Sequence, residues 1–185
     1  MAKVVSLESV KKQKAARRGF REWRRRFQQL PTLDEQTRWT DLPDALILFL
    51  AEDSPESRPI VHDLLTGVMG LGSGYEFESL PSEKLLPLMD AYFVVIDQVR
   101  FECMRRLGWI QEILLPDQSI TETIRNYEQV LPAALLQSPA LTPLHPAYSE
   151  YPDKAELEQR VLLRKYIPEA VKRFGEKIKE AGNKP

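Results

Sequence analysis

Between residues 85 and 114, Leu85, Leu88, Tyr92, Val95, Val99, Cys103, Leu107, Ile110 and Leu114 recur at intervals of three or four. Only an α-helix sets such positions on one side, so this stretch demands a helix with apolar neighbours along its length. Val94, Phe101 and Met104 add a second, weaker stripe. A helix that is apolar on more than one side is surrounded by others. The expectation is an all-α helical bundle of about six or seven helices, with a long central helix at about 83–115.

The remaining segments supply the neighbours. In "DLPDALILFLAED", Asp41 is placed to cap a helix near 43–52, with Pro43 in its first turn. Pro59 opens a helix near 59–71 that carries Ile60, Val61, Leu64, Leu65, Val68 and Met69, and the glycines of "GVMGLGSG" end it. Gly67 and Gly70 lie on one side of that helix, where they permit close approach of another. Ser119 and Glu122 have capping-box spacing for a helix through Ile120, Ile124, Tyr127, Leu131 and Leu135, kinked at Pro132. A loop containing Pro139, Pro143, Pro146 and Pro152 follows, then a helix begun by Asp153 and Glu156 that runs to about 166. Pro168 opens a last helix with Ile167, Val171, Phe174 and Ile178. "YFVVI" is locally strand-like, but no segment alternates with period two between hairpin turns.

The N-terminal segment is of a different kind. "AARRGFREWRRRF", residues 15–27, sets six arginines around Phe20, Trp23 and Phe27. Ala16, Phe20, Trp23, Phe27 and Leu30 repeat at 4, 3, 4 and 3, which predicts a single basic amphipathic helix across 8–30. Lys11, Lys14, Arg17, Arg18, Arg21, Arg24 and Arg25 fall on the opposite side. The organisation expected is a helical arm at 1–30 and one all-α domain at 31–185. The net charge of −1 hides a segregation: ten Lys/Arg against two Asp/Glu in 1–30, seven against twenty in 31–153, and nine against five in 154–185.

Three uses of the arm follow from this pattern. Phe20, Trp23, Phe27 and Leu30 can dock in an apolar groove of the same bundle or of a second subunit, while arginines meet acids such as Asp34, Glu35, Glu52, Asp53 and Glu56. Lys14, Arg17, Arg18, Arg21, Arg24 and Arg25 can neutralise nucleic-acid phosphates, although the acidic middle repels the same polyanion. Membrane-surface contact is disfavoured because the apolar stripe is narrow and short. Burial of three aromatics, on the order of 1.5 to 3 kcal/mol each, outweighs surface ion pairs of about 0 to 1 kcal/mol, so docking is the preferred reading.

Chemistry-bearing motifs are scarce. The chain has one cysteine and two histidines and no Glu-x-x-His, so neither a zinc site nor a di-metal carboxylate site is expected. His62 and Asp63 are helical neighbours that do not face each other, which excludes a base pairing between them. The Gly-rich turn lacks the spacing of a phosphate loop or a nucleophile elbow. Asp90 and Asp97 share a face of the long helix and are candidates for a ligand site, with pairing of Asp97 to Arg100 or an arm arginine as the structural alternative. Glu102 and Arg106 are spaced for an ion pair, and Tyr148 and Tyr151 for covering a core edge. The sequence thus points to a non-catalytic interaction or assembly protein with no cofactor and no small-molecule ligand, its arm docking on its own bundle or swapped into a homodimer. A nucleic-acid-associated protein is the first alternative, and a small-molecule-binding or enzymatic bundle near Asp90 and Asp97 the second. The longest apolar runs, "ALILFLA" and "AYFVVI", are far short of the roughly 20 residues of a membrane span. The first residues lack the apolar core of a secretory signal, and the expected location is cytoplasmic.

Overall fold

The computed structural model describes residues 6–28, 32–72, 77, 79–130 and 137–182. Leu30, Pro31, Ser73, Gly74, Leu131, Pro132 and Leu135, on which parts of these expectations rest, lie outside the described residues. The fold is an all-α bundle, with no strand among the described residues beyond one isolated bridge between Ile110 and Leu141. In chain order the helices are α1 (Leu7–Gly19), α2 (Arg21–Arg26), α3 (Asp44–Ala51), α4 (Arg58–Met69), α5 (Ser82–Arg106), α6 (Ile120–Arg125), α7 (Glu156–Lys165) and α8 (Ile167–Gly182). Residues 127–130 are also helical. No helix among the described residues is long and apolar enough to cross a membrane.

The long helix α5 is central, packing against α3, α4, α6 and α8, while α1 and α2 lie on α4. Both of its stripes are covered: Leu88, Tyr92, Val95, Val99 and Cys103 on one, Val94, Phe101 and Met104 on the other. It ends earlier than the apolar period suggests. Gly108 adopts φ 74, a left-handed conformation natural to glycine. Trp109 N–H then donates to Met104 O at 2.9 Å and Gly108 N–H to Arg105 O at 2.9 Å, the paired bonds of a Schellman stop. Leu107, Ile110 and Leu114 keep the period after the chain has left the helix. The same device closes α4, where Gly70 has φ 74 and Leu71 N–H reaches Thr66 O at 2.8 Å.

Other boundaries also differ from expectation. The single helix expected over 8–30 is two, because the chain breaks at Phe20, which caps α1 with φ −86 and ψ 11. This split, with the break at Asn126 of the helix expected from Ile120 onward, accounts for the larger number of helices. Asp41 does not cap α3; its carboxylate accepts from Arg38 N–H at 2.8 Å inside a 3-10 turn at Trp39–Asp41. The start expected at Asp153 falls at Glu156, where Glu158 reaches back to Ala155 N–H at 3.1 Å. Ser119 and Glu122 do form the capping box, with Glu122 N–H donating to Ser119 Oγ at 3.2 Å and Ser119 N–H to Glu122 Oε2 at 3.2 Å.

Charged groups secure the end of α5. Glu102 is fully buried and accepts from Arg105 and Arg106 at 2.7 Å each. Arg106 also donates to Leu42 O at 2.7 Å and pairs with Asp44. One guanidinium therefore joins α5 to the turn before α3, and a buried carboxylate is compensated rather than stranded.

The loop after residue 137 folds over the segment that follows this same end of α5. Gln111 N–H donates to Ala140 O at 3.0 Å and Thr142 N–H to Trp109 O at 2.9 Å. This places His145 in the core, edge-on to Trp109 at 5.2 Å and to Tyr166 at 5.0 Å. Its Nδ1 accepts from Ala147 N–H at 3.0 Å, so the neutral ring carries its proton on Nε2, which has no partner among the described residues. Burial lowers the imidazole pKa, with Glu169 pulling the other way. The unfolded chain therefore binds this proton more readily than the folded one. Stability should be full above the ordinary imidazole value of about 6.5 and fall as pH drops from there toward the lower folded value. Urea midpoints measured across this range should decline for the natural chain and decline less for His145→Leu.

Candidate functional site

The basic arm is built around a contact between two glycines. A Cβ on Gly67 would stand 2.6 Å from Gly19 Cα and 2.7 Å from Gly19 N, so α1 and α4 touch backbone to backbone. Gly67 thus provides the close approach expected of it, whereas Gly70 meets nothing within 4 Å and acts as the helix stop. With the backbones this close, Phe20 and Trp23 sink fully into the core of the same chain. Their rings meet edge to face at 5.2 Å, and Trp23 Nε1–H donates to Ile60 O at 3.3 Å. Phe27 is half-buried, its ring 5.5 Å from Phe49.

The cations above this contact have varied surroundings. Arg21 reaches the buried Asp63 at 2.9 Å, a partner absent from the acids expected. Arg24 donates to Arg17 O, Arg25 pairs with Glu22 at 3.3 Å, and Arg26 lies 4.3 Å above the Phe49 ring. Arg17 and Arg24 line a crevice with Asp34 and Glu35. Lys11, Lys14 and Arg18 are exposed and make no ion pair among the described residues. Of the other acids expected here, Asp53 is turned to a different task.

That task is at a cleft of about 480 Å³ lined by Asp53, Arg58, His62, Phe77, Leu85, Met89, Tyr92 and Phe93. Asp53 follows α3 in a left-handed conformation, φ 51, uncommon for a residue with a side chain. Its carboxylate accepts from the Tyr92 hydroxyl and from Arg58 Nε at 3.0 Å, and it pairs with Arg100 Nη2 at 3.6 Å. Burial and the bond to Asp53 push the Tyr92 pKa up, so the phenol stays protonated and donates. His62 is half-buried and stacks on Phe77, with ring centroids 3.8 Å apart and planes 8° from parallel. Asp53 and Tyr92, 39 residues apart, share no spacing pattern that would link them in the sequence.

The structure does not bring the candidates Asp90 and Asp97 together on a ligand. Asp90 is exposed, and Asp97 pairs with Arg164 of α7 at 2.7 Å rather than with Arg100 or the arm. Tyr151 is buried and donates to Pro139 O at 3.2 Å, while Tyr148 is exposed. Burial pushes the Cys103 thiol up to about 12, leaving little thiolate at neutral pH. No cluster of three or more His, Cys, Asp or Glu side chains with metal-holding geometry occurs among the described residues.

The fold and sites define an all-α bundle with a built-in basic arm and a lateral apolar cleft. Comparison with known proteins found no matching family model, no similar curated protein and no similar solved structure.

Proposed function

We propose that the chain is a non-catalytic interaction protein that assembles with a second copy of itself through the outer face of α7. The observation that carries this reading is a row of two large apolar side chains, Leu157 and Val161, one turn apart and 66% and 64% exposed. With Leu162 they border a groove flanked by Lys154, Glu158 and Lys165. Exposed apolar side chains grouped with a polar rim mark contact surfaces. Two copies of α7 crossing antiparallel about a two-fold axis set Leu157 of each against Val161 of the other. This is the self-complementarity an isologous dimer requires.

The basic arm supports assembly rather than polyanion capture, because its aromatic stripe completes the bundle and several of its arginines are held by protein groups. A reducing, cytoplasmic setting suits the single, buried Cys103.

Sedimentation of the full chain, of monomer mass 21.4 kDa, tests the reading. The natural chain should show a concentration-dependent dimer, and Leu157→Lys with Val161→Lys should return it to monomer with unchanged circular dichroism. A natural chain that stays monomeric at tens of micromolar, or a dimer that survives both substitutions, would refute it.

A further inference from the structure

The cleft between α4 and α5 involves none of the α7 residues and has the two-ended character of a ligand site. One end is ionic. Arg58 and Arg100 both pair with the carboxylate of Asp53, and the Tyr92 hydroxyl donates to that same carboxylate. Arg58 lines the cleft itself. Its Nε is committed to Asp53 at 3.0 Å and the guanidinium also meets the Tyr92 hydroxyl, while the side chain remains 55% exposed, so its solvent-facing edge can take a second carboxylate. A fork of this kind suits a planar carboxylate better than a point charge does.

The other end is apolar. Phe77, stacked on His62, forms one wall, and Leu85, Met89 and Phe93, at spacings of four along α5, form the other. Phe93 is 58% exposed, and Leu86 beside the same face is 66% exposed. Large side chains left open around a cleft of about 480 Å³ match the size and lining usual for small-molecule sites. Methionine and aromatic walls adapt to linear or flat bodies. The left-handed backbone at Asp53 is where the fold accepts a less favoured conformation to hold Arg58 and Tyr92 in place.

We infer that this cleft binds an amphipathic monocarboxylate, an aliphatic or aryl acid whose carboxylate meets Arg58 and whose apolar body lies along Phe77, Leu85, Met89 and Phe93. The exposed guanidinium edge of Arg58 selects an anion over a neutral or cationic amphiphile. The single open guanidinium edge selects one carboxylate over two.

Calorimetric titration of the full chain with decanoate, naphthoate and decanol, each below its aggregation concentration, tests this inference, with amide chemical shifts locating the site. Both acids should bind saturably at one equivalent and perturb residues of α4 and α5 around the cleft. Decanol should bind about tenfold more weakly, and Arg58→Gln should weaken decanoate by about tenfold while leaving decanol unchanged. Arg58→Lys should recover part of the loss, and Met89→Trp should block acid and alcohol alike. Equal binding of decanoate and decanol, perturbations centred away from α4 and α5, indifference to Arg58→Gln, or no saturable binding would each overturn it. Since the readout is ligand affinity and not mass, the outcome is separate from that of the α7 dimer.

Discussion

Trp23→Ala is expected to destabilise the chain by about 3 to 5 kcal/mol, the range for emptying a large aromatic site in a packed core. Trp23 is fully buried beside Phe20, so the void cannot fill from solvent, and Ile60 O loses its indole donor. Urea unfolding gives the free energy, and trypsin gives the location of the damage. Once α2 loosens, cleavage after the arginines at 17–26 should accelerate well before global unfolding. Trp23→Phe keeps most of the apolar volume and should recover much of the loss. A Trp23→Ala penalty below about 1 kcal/mol would mean that the arm does not depend on this contact.

Gly67→Ala should be comparably damaging, although it adds only one methyl group. The atoms facing that methyl are Gly19 Cα and N, at 2.6 and 2.7 Å, and backbone cannot rotate aside as a side chain can. The two helices must part, which places the cost at or above the upper end of the roughly 1 to 3 kcal/mol seen for overpacked cores. Gly175→Ala is the natural comparison. A Cβ there would meet Leu48 at an ordinary 3.5 Å, and alanine inside α8 should raise stability by about 0.5 to 1 kcal/mol. Opposite signs for the two substitutions, read from thermal midpoints, would identify the glycine contact as steric; equal effects would point to helix propensity alone.

Periodicity located α5 and the aromatic stripe because burial acts on side chains at fixed angular intervals, which the order of residues records directly. It overran at Arg106 because Leu107, Ile110 and Leu114 remain apolar for another reason, the loop around the bridge of Ile110 with Leu141. Gly108 was the available signal, and its left-handed turn outweighed the period. The break at Phe20 had no local marker beyond Gly19, since its cause is a tertiary contact with Gly67. The charge reading placed an acidic surface under the arginines without naming Asp63, which is a core-facing residue of α4. The cleft was least legible: Asp53, Arg58, His62 and Tyr92 come from three elements, and each has an ordinary role when considered alone.

The arm's seat also imposes an order on biosynthesis. Trp23 and the carbonyl that receives its indole are 37 residues apart, and Arg21 and Asp63 are 42 apart. As the chain leaves the ribosome, Phe20 and Trp23 emerge before α4 exists to cover them, and α5 is not yet made. During that interval the aromatic side chains lack the core that covers them in the finished fold. The arginines that ring the finished contact would then keep the nascent segment soluble until Gly67 arrives.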